Sequence, residues 1–104
     1  MTTAKQRIAD LSDLPPGGVL RVEVDGSPIC LARVESGEVY ALRDQCSHEQ
    51  FPLSDGEVVG SEIECPIHLA RFDLRTGAAS GQPAKDPVQS YPATVEGDAI
   101  YVDV

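Results

Sequence analysis

Two short stretches of this chain each pair one cysteine with one histidine, and they constrain its fold more than any other feature. One residue separates Cys46 from His48, two residues separate Cys65 from His68, and sixteen residues lie between the pairs. The whole chain has only three cysteines and two histidines. Thiolate and imidazole ligands together suit zinc, iron or copper rather than calcium or magnesium. The sequence therefore predicts a metal centre that joins two parts of the chain.

The order of the ligands separates two kinds of metal centre. Structural zinc is usually bound by a C-x2–4-C pair followed by an H-x3–5-H pair. Here each stretch contains both ligand types, and the first has a gap of a single residue. That order favours a Rieske [2Fe–2S] centre, in which each loop gives its thiolate to one iron and its imidazole to the other. A zinc-stabilised interaction module stays open as an alternative.

From Cys46 to Val104 the chain resembles the Rieske ferredoxins that serve bacterial aromatic-ring dioxygenases. The resemblance implies that Cys46, His48, Cys65 and His68 are the metal ligands and hold one [2Fe–2S] cluster of the Rieske type. The matching segments are CSH at 46–48, LSDGEV at 53–58, CPIH at 65–68, FDLRTG at 72–77, GQPA at 81–84 and YPATVEGDAIYV at 91–102.

The hydrophobic pattern predicts an all-β chain. Apolar and polar residues alternate from Val19 to Val24, and glycine-containing turns follow at short intervals, with hairpins predicted across Asp25-Gly26 and across Glu96-Gly97. Such spacing is typical of an antiparallel β-sandwich or barrel, and no segment predicts a long amphipathic helix. The resemblance implies the Rieske fold: a single domain, 1–104, whose β base carries an inserted cluster-binding subdomain at about 43–84. Strands are predicted near 8–11 and at 19–24, 29–34, 38–42, 72–74, 88–95 and 98–102, and a hairpin is predicted at 57–65.

The resemblance also implies a function, which is electron transfer. The chain would carry single electrons from an NAD(P)H-dependent ferredoxin reductase to a terminal aromatic-ring-hydroxylating dioxygenase, and would bind each of them transiently. Oxygen activation at a mononuclear iron usually needs two histidines and a carboxylate. Both histidines are already assigned to the cluster, so we expect a carrier with no catalytic residues. The alternative is a small Rieske-like subunit of a larger reductase, such as nitrite reductase.

Charge and hydropathy exclude other classes of protein. With a formal charge of −9, the chain lacks the excess of basic residues that nucleic-acid binding requires. The first ten residues have no apolar core of a signal peptide, and no apolar run approaches the length of a membrane span. We therefore expect a cytoplasmic protein with no membrane or nucleic-acid partner. The third cysteine, Cys30, lies in an apolar run and is predicted to be a buried core thiol.

Overall fold

Ten antiparallel strands in three sheets make up most of the regular structure in the computed structural model, which describes residues 5–24, 26–45, 52–65, 71–79 and 87–103. Two 3-10 helices, Leu11–Asp13 and Leu53–Asp55, are the helical elements of this described part. The strands are β1 (Lys5–Asp10), β2 (Val19–Val24), β3 (Ser27–Arg33), β4 (Val39–Arg43), β5 (Glu57–Val59), β6 (Glu62–Glu64), β7 (Arg71–Asp73), β8 (Ser90–Tyr91), β9 (Ala93–Glu96) and β10 (Ala99–Asp103).

The largest sheet has the strand order β2-β3-β4-β8. The alternation predicted for β2 is confirmed, because Arg21 and Glu23 are exposed while Val24 is buried. Val24 pairs with Ser27 across the predicted hairpin, and Gly26 provides the positive φ of 83° that the turn needs. The predicted 29–34 and 38–42 strands are also present, with ends displaced by one or two residues.

The central strand, β3, separates two apolar cores. Because successive side chains of a strand point to opposite faces, Cys30 and Ala32 enter one core, whereas Ile29 and Leu31 enter the other. The loop-side core consists of Cys30, Ala32, Val34, Leu42, Leu53, Ile63, Cys65, Phe72, Leu74 and Val88. The sheet-side core consists of Leu14, Val24, Ile29, Leu31, Val39, Ala41, Ile100 and Val102.

The predicted strand at 88–95 is wrong in one respect, because Pro92 divides it. Before the proline, β8 pairs with β4 through Tyr91 and Ala41. After it, β9 pairs with β10 in a separate sheet of order β1-β10-β9. Proline has no N–H to donate to a strand ladder, so the ladder cannot continue through this position. The chain therefore changes sheets at Pro92. The hairpin across Gly97 is confirmed, since Glu96 pairs with Ala99.

The third sheet has the order β5-β6-β7 and lies between residues 57 and 73. Its inner row is apolar, with Val58 paired with Ile63 and Ile63 paired with Phe72. Both Ile63 and Phe72 are fully buried in the loop-side core. This sheet therefore packs on the same core that β3 and β4 supply.

In the described part of the chain, no helix is long and apolar enough to cross a lipid bilayer.

Cys30 is a buried core thiol, as predicted. Its side chain is only 1% exposed and belongs to the loop-side core. Burial raises the pKa of the Cys30 thiol, and the nearby negative charge of Asp44 raises it further. At alkaline pH, the Cys30 thiol therefore keeps its proton in the folded chain, whereas it releases that proton in the unfolded chain.

This shift predicts a specific loss of stability at alkaline pH. An unfolded cysteine ionises near pH 8.5, so the contribution of Cys30 is complete below that pH and declines above it. Relative to Cys30→Ala, the wild-type protein should lose an additional ~1.4 kcal/mol of unfolding free energy per pH unit above about 9. Urea unfolding of both proteins at several pH values, under reducing conditions, measures the difference. Parallel pH profiles would contradict the assignment.

Candidate metal centre

The structure describes one of the four predicted ligands. Cys65 directly follows β6 and is fully buried in the loop-side core, beside Ile63. Cys46, His48 and His68 lie outside the described residues, as does the matching segment GQPA at 81–84. Described residues flank three segments: the first segment (46–51), the second segment (66–70) and the third segment (80–86).

The first segment starts beside a fully buried carboxylate. Asp44 accepts a hydrogen bond from the backbone N–H of Ser54 at 2.7 Å and from its hydroxyl at 2.6 Å. Arg21 on β2 donates a further bond to the same carboxylate at 3.1 Å. The backbone N–H of Asp44 donates to the carbonyl of Pro28 at 3.0 Å. These contacts hold the residues before and after the first segment against each other and against the large sheet.

The 3-10 helix Leu53–Asp55 follows the first segment, separated from it by Pro52. The backbone N–H of Asp55 donates to the carbonyl of Pro52 at 3.2 Å, and that of Gly56 donates to the carbonyl of Leu53 at 2.9 Å. Leu53 is fully buried in the loop-side core, together with Cys65. The exit of the first segment is thus packed on the apolar cluster that contains the described ligand.

The second segment is flanked by paired strands. Glu64 on β6 is opposite Arg71 on β7. The Arg71 Nε donates to Glu64 Oε2 at 3.0 Å, and a second nitrogen of Arg71 lies 3.9 Å from a carboxylate oxygen of Glu62. Exposed ion pairs contribute little stability, so the backbone ladder and the buried Phe72 are the main restraint on these two strands.

A close backbone contact joins the chain after the first segment to the chain before the second segment. A Cβ atom added to Gly56 would overlap the carbonyl oxygen of Glu64 and would lie 3.2 Å from the carbonyl oxygen of Leu53. Glycine is required here by space rather than by φ, which is −89°. Only a residue without a side chain lets the exit of the first segment approach the residue before Cys65 this closely.

The third segment is flanked by a similar contact. The backbone N–H of Val88 donates to the carbonyl of Gly77 at 2.8 Å, and a Cβ atom on Gly77 would overlap the Val88 carbonyl oxygen. Gly77 also has a positive φ of 81°. Val88 is buried in the loop-side core. All three segments therefore have a flanking residue in one apolar cluster.

The donor set fits an iron–sulfur centre. One thiol, that of Cys65, is already buried at the base of the second segment, and the sequence supplies one more thiol and two imidazoles in the adjacent undescribed segments. Two thiolates and two imidazoles are the ligand set of a Rieske cluster. Asp44 was not among the residues predicted from the sequence. Its position two residues before Cys46 was the available signal.

Comparisons with known proteins identify the family to which this chain belongs. The model of the Rieske [2Fe-2S] domain matches residues 4–92. The chain is 42% identical, over 90% of its length and 89% of the relative's, to the ferredoxin component of a naphthalene 1,2-dioxygenase system from Pseudomonas aeruginosa.

Solved structures give the same result. The ferredoxin of carbazole 1,9a-dioxygenase from Nocardioides aromaticivorans IC177 superposes with a TM-score of 0.89 at 39% identity, covering 97% of this chain and 98% of that one. A chain from a complex of reduced oxygenase and oxidised ferredoxin in carbazole 1,9a-dioxygenase superposes with a TM-score of 0.88 at 31% identity, covering 98% and 94%.

Substitution of Gly56 tests the close contact between the two segments. In Gly56→Ala the new methyl must displace the Glu64 backbone, which should lower the unfolding free energy by about 1–3 kcal/mol or more. It should also speed loss of bound iron by at least about tenfold, the lower end of the usual cost of disturbing a ligand's surroundings. Iron release to a chelator and urea unfolding measure the two effects.

Gly60→Ala is the matched control, because Gly60 lies in the turn of the same sheet and an added Cβ meets nothing within 4 Å. That variant bears only the cost of its positive φ, about 1–2 kcal/mol, and should release iron at the wild-type rate. Equal iron release from the two variants would mean that the Gly56 contact does not organise the site.

Proposed function

Because the chain belongs to the Rieske [2Fe-2S] domain family, we propose that it carries single electrons from an NAD(P)H-dependent reductase to a terminal aromatic-ring-hydroxylating dioxygenase. The observation that carries this proposal is the match over nearly the whole length of relatives that are themselves ferredoxin components of such systems. The chain is therefore a carrier component rather than a catalytic oxygenase.

The proposed ligands of a single cluster are Cys46 and Cys65 on one iron and His48 and His68 on the other. When bound, the cluster supplies one-electron redox chemistry. The protein contributes deprotonated thiolates and a site from which water is excluded. The complete burial of Cys65 among Leu53, Ile63 and Phe72 supports the second of these contributions.

We further propose that residues of about 43–84 form a cluster-binding subdomain inserted into a β base domain. The sheet β5-β6-β7 lies wholly inside these bounds. The elements outside them form the sheet β1-β10-β9 and most of the sheet β2-β3-β4-β8. The sheet-side core, which includes Ile29 and Ile100, also draws its buried residues from outside the subdomain.

The proposed partners are a ferredoxin reductase and a terminal oxygenase, each bound transiently. One of the similar structures is a complex between a ferredoxin and an oxygenase. With a formal charge of −9, this chain should be attracted to basic surfaces, and such attraction mainly raises the rate of association. The match to the Rieske family also favours iron over the zinc-stabilised module.

Replacement of single ligands tests the metal assignment. Purified protein should contain about two irons and two acid-labile sulfides per chain. Alanine at position 46, 48, 65 or 68 should abolish the cluster and lower stability, since metal binding and folding are coupled. Cys30→Ser is the matched control and should keep the cluster. Full iron content in one of the four variants would remove that residue from the ligand set, and stoichiometric zinc in colourless wild-type protein would favour the alternative module.

Electron transfer itself is tested by rapid mixing. The reduced protein is mixed with the oxidised terminal oxygenase of an aromatic-ring dioxygenase system, and oxidation of its cluster is followed optically. We expect second-order transfer that slows as ionic strength rises, because screening weakens attraction between exposed charges. The absence of transfer to any such oxygenase, together with stable co-purification with a large reductase subunit, would instead favour the reductase-subunit alternative.

A further inference from the structure

Asp44 is the one charged residue that is buried among the residues described by the structure, with a side chain that is 0% exposed. An ionised carboxylate is costly to bury unless it is paired and hydrogen-bonded. Both of its oxygens have partners: Oδ1 accepts from the Ser54 backbone N–H, and Oδ2 accepts from the Ser54 hydroxyl and from Arg21. The cost of burial is offset by these three bonds, each of which joins Asp44 to a residue distant in sequence.

The bonds to Ser54 span the first segment. Asp44 and Ser54 are ten residues apart, and the proposed ligands Cys46 and His48 lie between them. Holding the two ends together removes much of the conformational freedom that the intervening residues would otherwise have. The third bond, from Arg21, ties this closed stretch to β2 of the large sheet.

Chain length limits how far the backbone of Asp44 can lie from that of the proposed ligand Cys46. Two residues of fully extended chain span at most about 7 Å, so the backbone of Asp44 lies within that distance of the backbone of Cys46. A fixed charge at such a distance in a poorly solvated interior interacts strongly with any charge that develops nearby. The geometry therefore gives Asp44 two means of acting on the metal centre, by restraint and by its electrostatic field.

We propose that Asp44 is a positioning residue for the iron–sulfur centre: through Ser54 and Arg21 it holds the two ends of the first segment so that Cys46 and His48 are presented together. This proposal rests on the ligand assignment made above. Replacement of a residue that orients metal ligands typically lowers metal affinity by 10–100-fold. The same buried charge, partly balanced by Arg21, opposes addition of an electron to the centre.

The first experiment compares the rate of cluster loss in Asp44→Asn and Asp55→Asn. Asn at position 44 cannot accept all three bonds, because its amide nitrogen is a donor. Asp55 is exposed, lies one residue beyond Ser54 and undergoes the same change in charge, so it is the matched control. Loss of the visible absorption in the presence of a chelator should be about 10–100-fold faster for Asp44→Asn and unchanged for Asp55→Asn. Equal rates would overturn the proposal.

Ser54→Ala is a milder variant in case Asp44→Asn fails to fold. It removes the hydroxyl donor but keeps the backbone N–H that bonds Asp44 Oδ1. Its rate of cluster loss should lie between those of wild type and Asp44→Asn, and the double variant should be no faster than Asp44→Asn alone, since both changes break the same contact. Independent, multiplicative effects of the two substitutions would contradict the proposed clamp.

The reduction potential separates positioning from a purely structural role. Asp44→Asn should raise the potential because a negative charge is removed, whereas Arg21→Met should lower it because the balancing positive charge is removed. General loosening of the fold would move both variants in the same direction. Shifts of the same sign, or no larger than that of Asp55→Asn, would overturn the electrostatic part and with it the role of Asp44 at the centre.

The ligand assignment and the positioning role fail in different ways. If wild-type protein holds no [2Fe–2S] cluster, or if Cys46→Ala keeps full iron, the ligand assignment is wrong. If wild type holds the cluster and Cys46→Ala loses it, while Asp44→Asn retains it as long as Asp55→Asn does, only the positioning role is wrong.

Discussion

The loop-side core, which contains a residue flanking each of the three segments, is the packing on which the rest of the structure depends. Cys65 lies in it, and so do Leu53, Phe72 and Val88, each of which flanks one of the segments. β3 contributes Cys30 and Ala32 to this core, and it contributes Ile29 and Leu31 to the sheet-side core. One strand, in which Ile29 to Ala32 are buried, therefore contributes to both apolar cores. Deleting volume from such a core is costly because the surroundings relax only partly.

At two glycines, the backbone makes contacts that are too close for a residue with a side chain. Gly56 contacts the Glu64 carbonyl and Gly77 contacts that of Val88. The first contact joins neighbours of the first and second segments, and the second joins the two sides of the third segment, without using any of the predicted ligands. Asp44 performs the corresponding task with hydrogen bonds instead of close packing. A cluster bound across these ends would add its own binding free energy to that of folding, so the apolar core and the metal site should stabilise each other.

An electron carrier of this family needs a rigid surrounding for its cluster and a surface suited to brief encounters. The buried face of the sheet β5-β6-β7 serves the first need through Ile63 and Phe72. Its other face carries Glu64 paired with Arg71 beside the second segment. Exposed ion pairs of this kind contribute little to stability, so the buried face, and not this one, is the main restraint on the sheet.

Local patterns in the sequence determined much of this protein. The alternation in β2, the turns at Gly26 and Gly97, and the burial of Cys30 were all predicted and are confirmed. Spacing and residue type also pointed to the family, while the complete ligand set stays a prediction because three of its members lie outside the described residues.

Only the tertiary structure decided which distant residues meet. Pro92 sends β8 and β9 to different sheets, Arg21 reaches Asp44 across 23 positions, and Gly56 packs on Glu64. The alternation of a strand specifies which of its faces is buried, but it does not specify the partner that covers that face. The partner is selected by the packing of the whole chain, in which each buried polar group must also find its hydrogen bond.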